Sequence, residues 1–440
     1  MRGFLSLPVG ATSIGVTCAA ALVLPAALPA TAASPRAGSP AGAAVPGSTQ
    51  SLPLAPLDQE RTPGSAPEQG LFRTDVRHFS LVGVIWDDPD TALRGAVQVR
   101  TRSAASGKWS GWQDVDTHNE EHGADPATAE RSSGRVRGAT APLWVGDSDG
   151  VDVRVRADAA QGRAVAGRGR GGDPSPALPS GLRLELVDPG GGTAAQGPQA
   201  DSPRTLPALS RRDTEREMDR LWADGELEGA DVGAPRAKPY IGPRPGIVTR
   251  RGWGADESLR GRGFVYTKKI KAAFVHHTST GNNYSCSQAP SVIRGIYRYH
   301  VKSMGWRDIG YNFLVDKCGT IYEGRAGGVA KAVLGAHTLG FNSNSMGVAV
   351  IGSYSSSKPS GAAVKAVAKL TAWKLGLYGA NPRGKTYLTS GGGNLYPKGK
   401  SVRLNVISGH RDGFATDCPG KRLYAKLGSA RSSAARYQGR

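Results

Sequence analysis

Residues 409–420 read Gly-His-Arg-Asp-Gly-Phe-Ala-Thr-Asp-Cys-Pro-Gly, and this stretch constrains the chain more than any other. It sets a histidine, His410, and a cysteine, Cys418, eight positions apart in a segment whose glycines and proline dictate a loop rather than a helix. Imidazole and thiolate are the side chains that zinc prefers, but two ligands do not make a site. A further ligand lies far upstream in Phe274-Val275-His276-His277-Thr278. Ala272–His276 reads as a buried strand and Leu404–Ile407 as another, so His276 ends one strand and His410 follows the next. Neighbours on a strand face opposite ways, which leaves only one of His276 and His277 for a metal. His276, His410 and Cys418 then form a three-ligand zinc set. Its fourth position stays open, as in catalytic rather than structural sites.

The cysteine count bears on the same set. Met1-Arg2, an uncharged run from Phe4 to Pro29 and Ala30-Thr31-Ala32-Ala33 read as a signal peptide over residues 1–33. No second apolar run is long enough to cross a bilayer, so no transmembrane anchor is expected after cleavage. Cleavage removes Cys18 and leaves Cys286, Cys318 and Cys418, an odd number in an exported protein. Cys286 and Cys318 are the expected disulfide, worth about 3–4 kcal/mol in the chain-entropy model. Cys418 remains for the metal.

Charge is divided unevenly. The chain carries +20. Residues 238–440 hold about +25 of positive charge, which leaves the first half slightly acidic. Such a field favours polyanionic surroundings. For an exported protein these are anionic cell-wall polymers, not nucleic acid. The expected location is extracellular, at the cell wall, and a monomer is expected.

Composition and periodicity divide the rest. Residues 34–70 are rich in Pro, Ala, Gly and Ser and read as a disordered spacer. Residues 71–187 alternate in short β-rich runs, among them Phe79–Trp86, Ala96–Arg102, Val151–Arg156 and Leu182–Val187, and predict an all-β sandwich-like domain. Thr117–Ser133 and Asp158–Ser180 read as loop insertions. Trp86, Trp109, Trp112 and Trp144 suit either a sugar-binding platform or, more commonly, packing. Residues 188–245 read as a linker with a short exposed helix from Thr214 to Leu227. Residues 246–428 predict an α/β module, a mixed central β-sheet flanked by helices. Its expected helices are 287–303, Ala362–Tyr378 and Lys421–Leu427, with a hairpin around Lys317-Cys318-Gly319. Residues 429–440 form a basic tail.

Five motifs occur in order in this module: Val275-His276-His277-Thr278, Gly305-Trp306-Arg307-Asp308-Ile309-Gly310-Tyr311-Asn312-Phe313, Gly319–Arg325, Gly335-Ala336-His337-Thr338 and Gly409–Gly420. Together they resemble the peptidoglycan recognition protein family, which shares its fold with zinc-dependent N-acetylmuramoyl-L-alanine amidases. Arg251-Gly252-Trp253-Gly254-Ala255 resembles the family's opening motif. The all-β segment more loosely resembles the N-terminal extension of actinobacterial relatives. The resemblance implies Zn2+ held by His276, His410 and Cys418, with Tyr311 as a catalytic residue. Thr416 takes the position of a second group that helps the tetrahedral intermediate. His277, Asn312, Arg325, His337, Thr338 and Arg411 are the candidates for binding the muropeptide stem of peptidoglycan.

The implied activity is cleavage of the amide between the lactyl group of N-acetylmuramic acid and L-alanine of the stem peptide. Two rivals are a module that binds peptidoglycan without cutting it, and a wall anchor in which the all-β domain does the binding. Ala326-Gly327-Gly328 follows Arg325 where many recognition proteins place Gly-Trp, so stem-type preference is not carried over.

Overall fold

A computed structural model describes residues 46–57, 66–158, 177–191, 203–227 and 240–440. The predicted signal peptide lies outside these residues. None of the described helices is long and apolar enough to cross a membrane.

The first sheet is antiparallel throughout. Its strands are β1 (Ser48–Pro53), β2 (Ala55–Pro56), β3 (Glu68–Arg73), β4 (Phe79–Trp86), β5 (Gly95–Ser103), β6 (Gln113–Val115), β7 (Gly138–Ala139), β8 (Leu143–Ala157) and β9 (Arg183–Asp188). The order is β1-β9-β4-β8-β3-β2, with β5 and β6 joined through β8 and β7 on β4. β8 is long enough to pair with β4 at its start and with both β5 and β3 at its end. Val82, Val84, Val97, Val99, Val153 and Leu184 of these strands form one buried cluster.

The domain therefore begins earlier than composition suggests. Ser48–Pro53, expected within a disordered spacer, pairs residue for residue with β9. The four tryptophans do not share one surface, although Trp109 and Trp112 both lie against the Arg100 guanidinium. Trp86 and Trp144 are buried. Trp112 stacks on the guanidinium groups of Arg100 and Arg154.

The second sheet is mixed. Its strands are β10 (Thr205–Leu206), β11 (Ile247–Val248), β12 (Ala272–His277), β13 (Phe313–Val315), β14 (Ile321–Glu323), β15 (Ser345–Val350) and β18 (Ile407–Gly409). They run in the order β10-β11-β14-β13-β15-β12-β18, with β12 parallel to both neighbours at its centre. The predicted strand Leu404–Ile407 is two strands: β17 (Ser401–Asn405) pairs with β16 (Lys385–Thr389), and β18 joins β12.

Helix α1 (Arg211–Ala223) lies in the expected linker. It buries Thr214 and Met218 on this module, so it is not a free exposed helix. Helix α2 (Arg250–Trp253) precedes β12. Helices α3 (Ala289–Arg298) and α4 (Gly361–Leu377) cover opposite faces, and α4 is capped by the Ser360 hydroxyl, which accepts from the Ala363 amide at 3.0 Å. Helix α5 (Lys421–Tyr424) leads to α6 (Leu427–Gln438). The expected basic tail is thus a helix that buries Ala430, Ala434 and Ala435 and donates from Gln438 Nε2 to Ala372 O at 3.0 Å.

The described residues fall in one compact unit. α3 is the reason. One of its faces meets Leu314, Tyr322 and Ala349 of the mixed sheet, while Leu81, Ile85, Trp144 and Val187 of the β domain join the same buried cluster. The Tyr299 hydroxyl donates to Thr140 O at 3.1 Å and lies over Gly83, where a Cβ would come within 2.4 Å of the hydroxyl oxygen. The disulfide Cys286–Cys318 is formed and ties the start of α3 to the β13–β14 turn.

Candidate metal centre

β12 is fully buried, and its alternation decides which histidine reaches the site. Ala273 and Val275 pack toward α4, and His277 follows them on that face. Phe274 and His276 lie on the other. The loop after β18 carries His410 to the same place, since β18 is the parallel neighbour of β12. The His276 and His410 ring centroids are 4.5 Å apart, and Cys418 Sγ is 3.8 Å from His276 Nδ1.

A fourth group stands with them. His122, from the Thr117–Ser133 insertion of the β domain, places its ring 4.6 Å from His410 and 5.5 Å from His276. One donor atom from each of His122, His276, His410 and Cys418 falls within 4.8 Å of the others. The sequence reading missed His122 because no spacing rule links residue 122 to His276, His410 and Cys418, which lie 154, 288 and 296 positions downstream. The available signal was a histidine in Glu120-Glu121-His122-Gly123, in a domain otherwise without chemistry.

The donor set fits a zinc ion. Neither ring nitrogen of His122 or of His410 has a hydrogen-bond partner in a buried place. Burial holds His276 and His410 well below the usual histidine range, further depressed by the neighbouring imidazoles, and takes His122 to about 4. Burial likewise pushes the Cys418 thiol up. These four neutral donors, with both ring nitrogens of His122 and of His410 unpartnered, form a cavity that suits a divalent cation, whose charge favours the thiolate.

Behind the donors, His276 Nε2 lies 3.4 Å from Thr338 Oγ1, which is 3.0 Å from His337 Nδ1. This relay fixes the His276 ring with Nδ1 toward Cys418. Gly347 is required here: a Cβ would fall 2.4 Å from the His337 ring. His337 and Thr338 are therefore positioning residues behind His276. Both are fully buried and neither lines a groove.

Other expected binders are also committed internally. Asn312 accepts from the Gly347 amide at 2.8 Å and donates to Val333 O at 2.9 Å, a brace inside the sheet. His277 Nδ1 accepts from the Tyr354 amide at 3.2 Å, and its Nε2 meets Ser279 Oγ at 3.0 Å. Arg411 closes its own loop by donating to Asp417 Oδ1 at 3.0 Å. Arg325 is held by Glu130 of the β domain through paired bonds of 2.9 and 3.0 Å.

Tyr311 is beside the donors, its ring 5.5 Å from that of His276. Burial, with the nearby Cys418 and Glu121, raises its phenol well above the usual range, so it keeps its proton. Thr416 Oγ1 donates to Glu121 Oε1 at 2.7 Å and accepts from the Cys418 amide at 3.0 Å. The space left among Asp116, Glu121, His122, Tyr311 and Thr416 is about 10 Å³. That is room for about one water.

Residues 266–421 match the family model of N-acetylmuramoyl-L-alanine amidase. Residues 35–177 match one described as Rv3811 N-terminal galactose-binding domain-like. Peptidoglycan-recognition protein SC1a of Drosophila melanogaster is 30% identical over 185 residues, covering 41% of this chain and 83% of that protein. An N-acetylmuramoyl-L-alanine amidase of Homo sapiens is 33% identical over 189 residues, 42% of this chain and 28% of that protein. The structure of wild-type Drosophila PGRP-LB aligns at 26% identity over 42% of this chain and 92% of that one, with a TM-score of 0.33.

Proposed function

Because the chain belongs to the family of peptidoglycan-recognition proteins and N-acetylmuramoyl-L-alanine amidases, we propose that it is a zinc-dependent amidase. In this reading it cuts between the lactyl group of N-acetylmuramic acid and L-alanine of the stem peptide. One observation carries the reading: His276, His410 and Cys418 converge within a single coordination sphere beside Tyr311. A zinc ion bound there supplies Lewis acidity, polarising a carbonyl and lowering the pKa of water.

The chain's own residues do the rest. Tyr311, protonated, donates to the oxygen that gains charge as the amide carbon becomes tetrahedral, where a preorganised donor counts most. Thr338 and His337 keep His276 in one orientation. Arg325 offers a guanidinium to a carboxylate of the stem peptide once Glu130 has left it. Thr416 reaches the reacting centre only when Glu121 has released its hydroxyl.

The proposed setting is outside the cell, on the wall. A cleft of about 420 Å³ between the two domains is lined by Arg135, Arg137, Arg260, Lys302 and Arg307. Together with the net charge it supports retention by anionic wall polymers.

Sacculi incubated with the zinc-loaded full-length protein should yield free stem peptides and uncut glycan by mass spectrometry. Cys418→Ser should take up no zinc and release no peptide. Cut glycan strands, or unchanged zinc uptake by Cys418→Ser, would overturn the reading.

A further inference from the structure

The three-ligand reading leaves one position open, but the structure puts an imidazole there. We propose that His122 is the fourth protein ligand of the metal centre, and that residues 117–133 form a strap from the β domain that holds the amidase closed. The inference rests on the metal-centre reading above and adds a ligand, and a resting state, to it.

Three observations independent of the donor cluster place the strap. First, it is fastened along the module that holds the metal site, by backbone and by charge. The Leu339 amide donates to Glu121 O at 2.9 Å, and the Gly340 amide donates to Asp125 Oδ1 at 2.8 Å. Asn342 Nδ2 donates to Gly123 O at 2.8 Å, while Asn342 Oδ1 accepts from the His337 and Thr338 amides. One side chain thus links the strap to the residues that orient His276.

Second, the strap occupies the groups that the proposed reaction uses. Glu121 takes the Thr416 hydroxyl, and Glu130 takes both arms of Arg325 with its carboxylate. Burial raises the Glu130 carboxyl, but the Arg325 charge and hydrogen bonds more than offset this and leave it lowered, so the pair is ionic. A substrate carboxylate and Glu130 therefore compete for one guanidinium.

Third, the geometry is specific to His122. Gly123 follows it at φ 147°, a conformation that side chains rarely adopt. The turn it makes lets His122 enter the donor cluster while Ala124, beyond it, is buried in the cluster that includes Trp306. Four protein donors are the mark of a closed zinc site, three of an open one. Opening requires His122 to leave the cluster, with Glu121 and Glu130 withdrawing from Thr416 and Arg325.

The test uses the full-length chain, loaded with zinc or cobalt. Transfer of zinc to a metallochromic chelator should be at least about tenfold faster from His122→Ala than from wild type. The visible spectrum of the cobalt form should change on that substitution, and stem-peptide release should rise several-fold. Glu130→Gln, which touches no donor, should also speed peptide release while leaving the cobalt spectrum as in wild type. This second variant carries the test if His122→Ala does not fold. Equal zinc transfer and an unchanged cobalt spectrum for His122→Ala would overturn the ligand. Unchanged peptide release from Glu130→Gln would overturn the strap. Both failures leave the metal centre standing. The metal centre itself falls if His276→Ala, like Cys418→Ser above, takes up zinc as wild type does.

Discussion

Thr416 donates its hydroxyl to the Glu121 carboxylate at 2.7 Å, joining residues 295 positions apart. The same oxygen accepts from the Cys418 amide, so a single hydroxyl ties the 117–133 segment to the loop that carries Cys418. Burial raises the Glu121 carboxyl, and the Thr416 bond opposes that shift. Thr416→Val strips a buried acid and a backbone amide of one partner. Urea unfolding should show a loss of about 1–3 kcal/mol. Thr416→Ser should stay near wild type, and equal stability of the valine variant would mean that this bond does not hold the strap.

Tyr311 makes a sharper test of the chemistry. Its phenol keeps its proton because it is buried. Tyr311→Phe keeps the ring beside His276 and removes only the donor. Peptide release should fall about 10²–10³-fold with kcat affected more than KM. Zinc content by mass spectrometry should not change. A parallel loss of zinc would make Tyr311 a support for the donors and not a partner of the substrate.

How much of this was readable in the sequence depends on how local each cause is. β4 was legible because Phe79–Trp86 carries its own apolar run, and the three donors were legible because strand ends and a Gly-rich loop fix where they project. β1 was not. Ser48–Pro53 has no apolar pattern of its own and is a strand only because β9 pairs with it. The residues of α6 look like a basic tail because its buried side is made of Ala430, Ala434 and Ala435, too small to register as an apolar stripe. Asn312 and Thr338 suggested a groove because they are polar residues in family motifs, whereas the structure turns both inward. His122 belongs to another domain, and only the packing of that domain on α3 brings it to the site.

The disulfide should be separable from the metal. Cys286–Cys318 closes the α3 start onto the β13–β14 turn, away from the donors. Replacing both cysteines with serine should cost about 2–5 kcal/mol in urea unfolding. Zinc content should be unchanged, because Cys418 is the free cysteine among the described residues. Loss of zinc on removing the pair would place the disulfide's contribution at the metal site and not in the scaffold.

Glu185 offers a pH test of the contact between the domains. It sits on β9, is buried, and accepts from Ser303 Oγ just beyond α3 at 2.7 Å. Burial raises its carboxyl above the usual range, with the Ser51 and Ser303 hydroxyls and the Arg183 and Arg137 charges pulling it part of the way back. A raised carboxyl binds its proton more readily when folded. Its favourable contribution is therefore complete below the unfolded-state pKa and is lost as the pH rises through the folded one. Above that window the fold carries a buried carboxylate. Glu185→Gln removes the charge and keeps an acceptor for Ser303. The variant should melt higher than wild type at pH 7, and the gap should close as the pH is lowered toward 4, where both side chains are neutral. Melting curves across this range decide it: a gap that widened toward acid would mean that the ionised carboxylate, through Arg137 and Arg183, holds the two domains together.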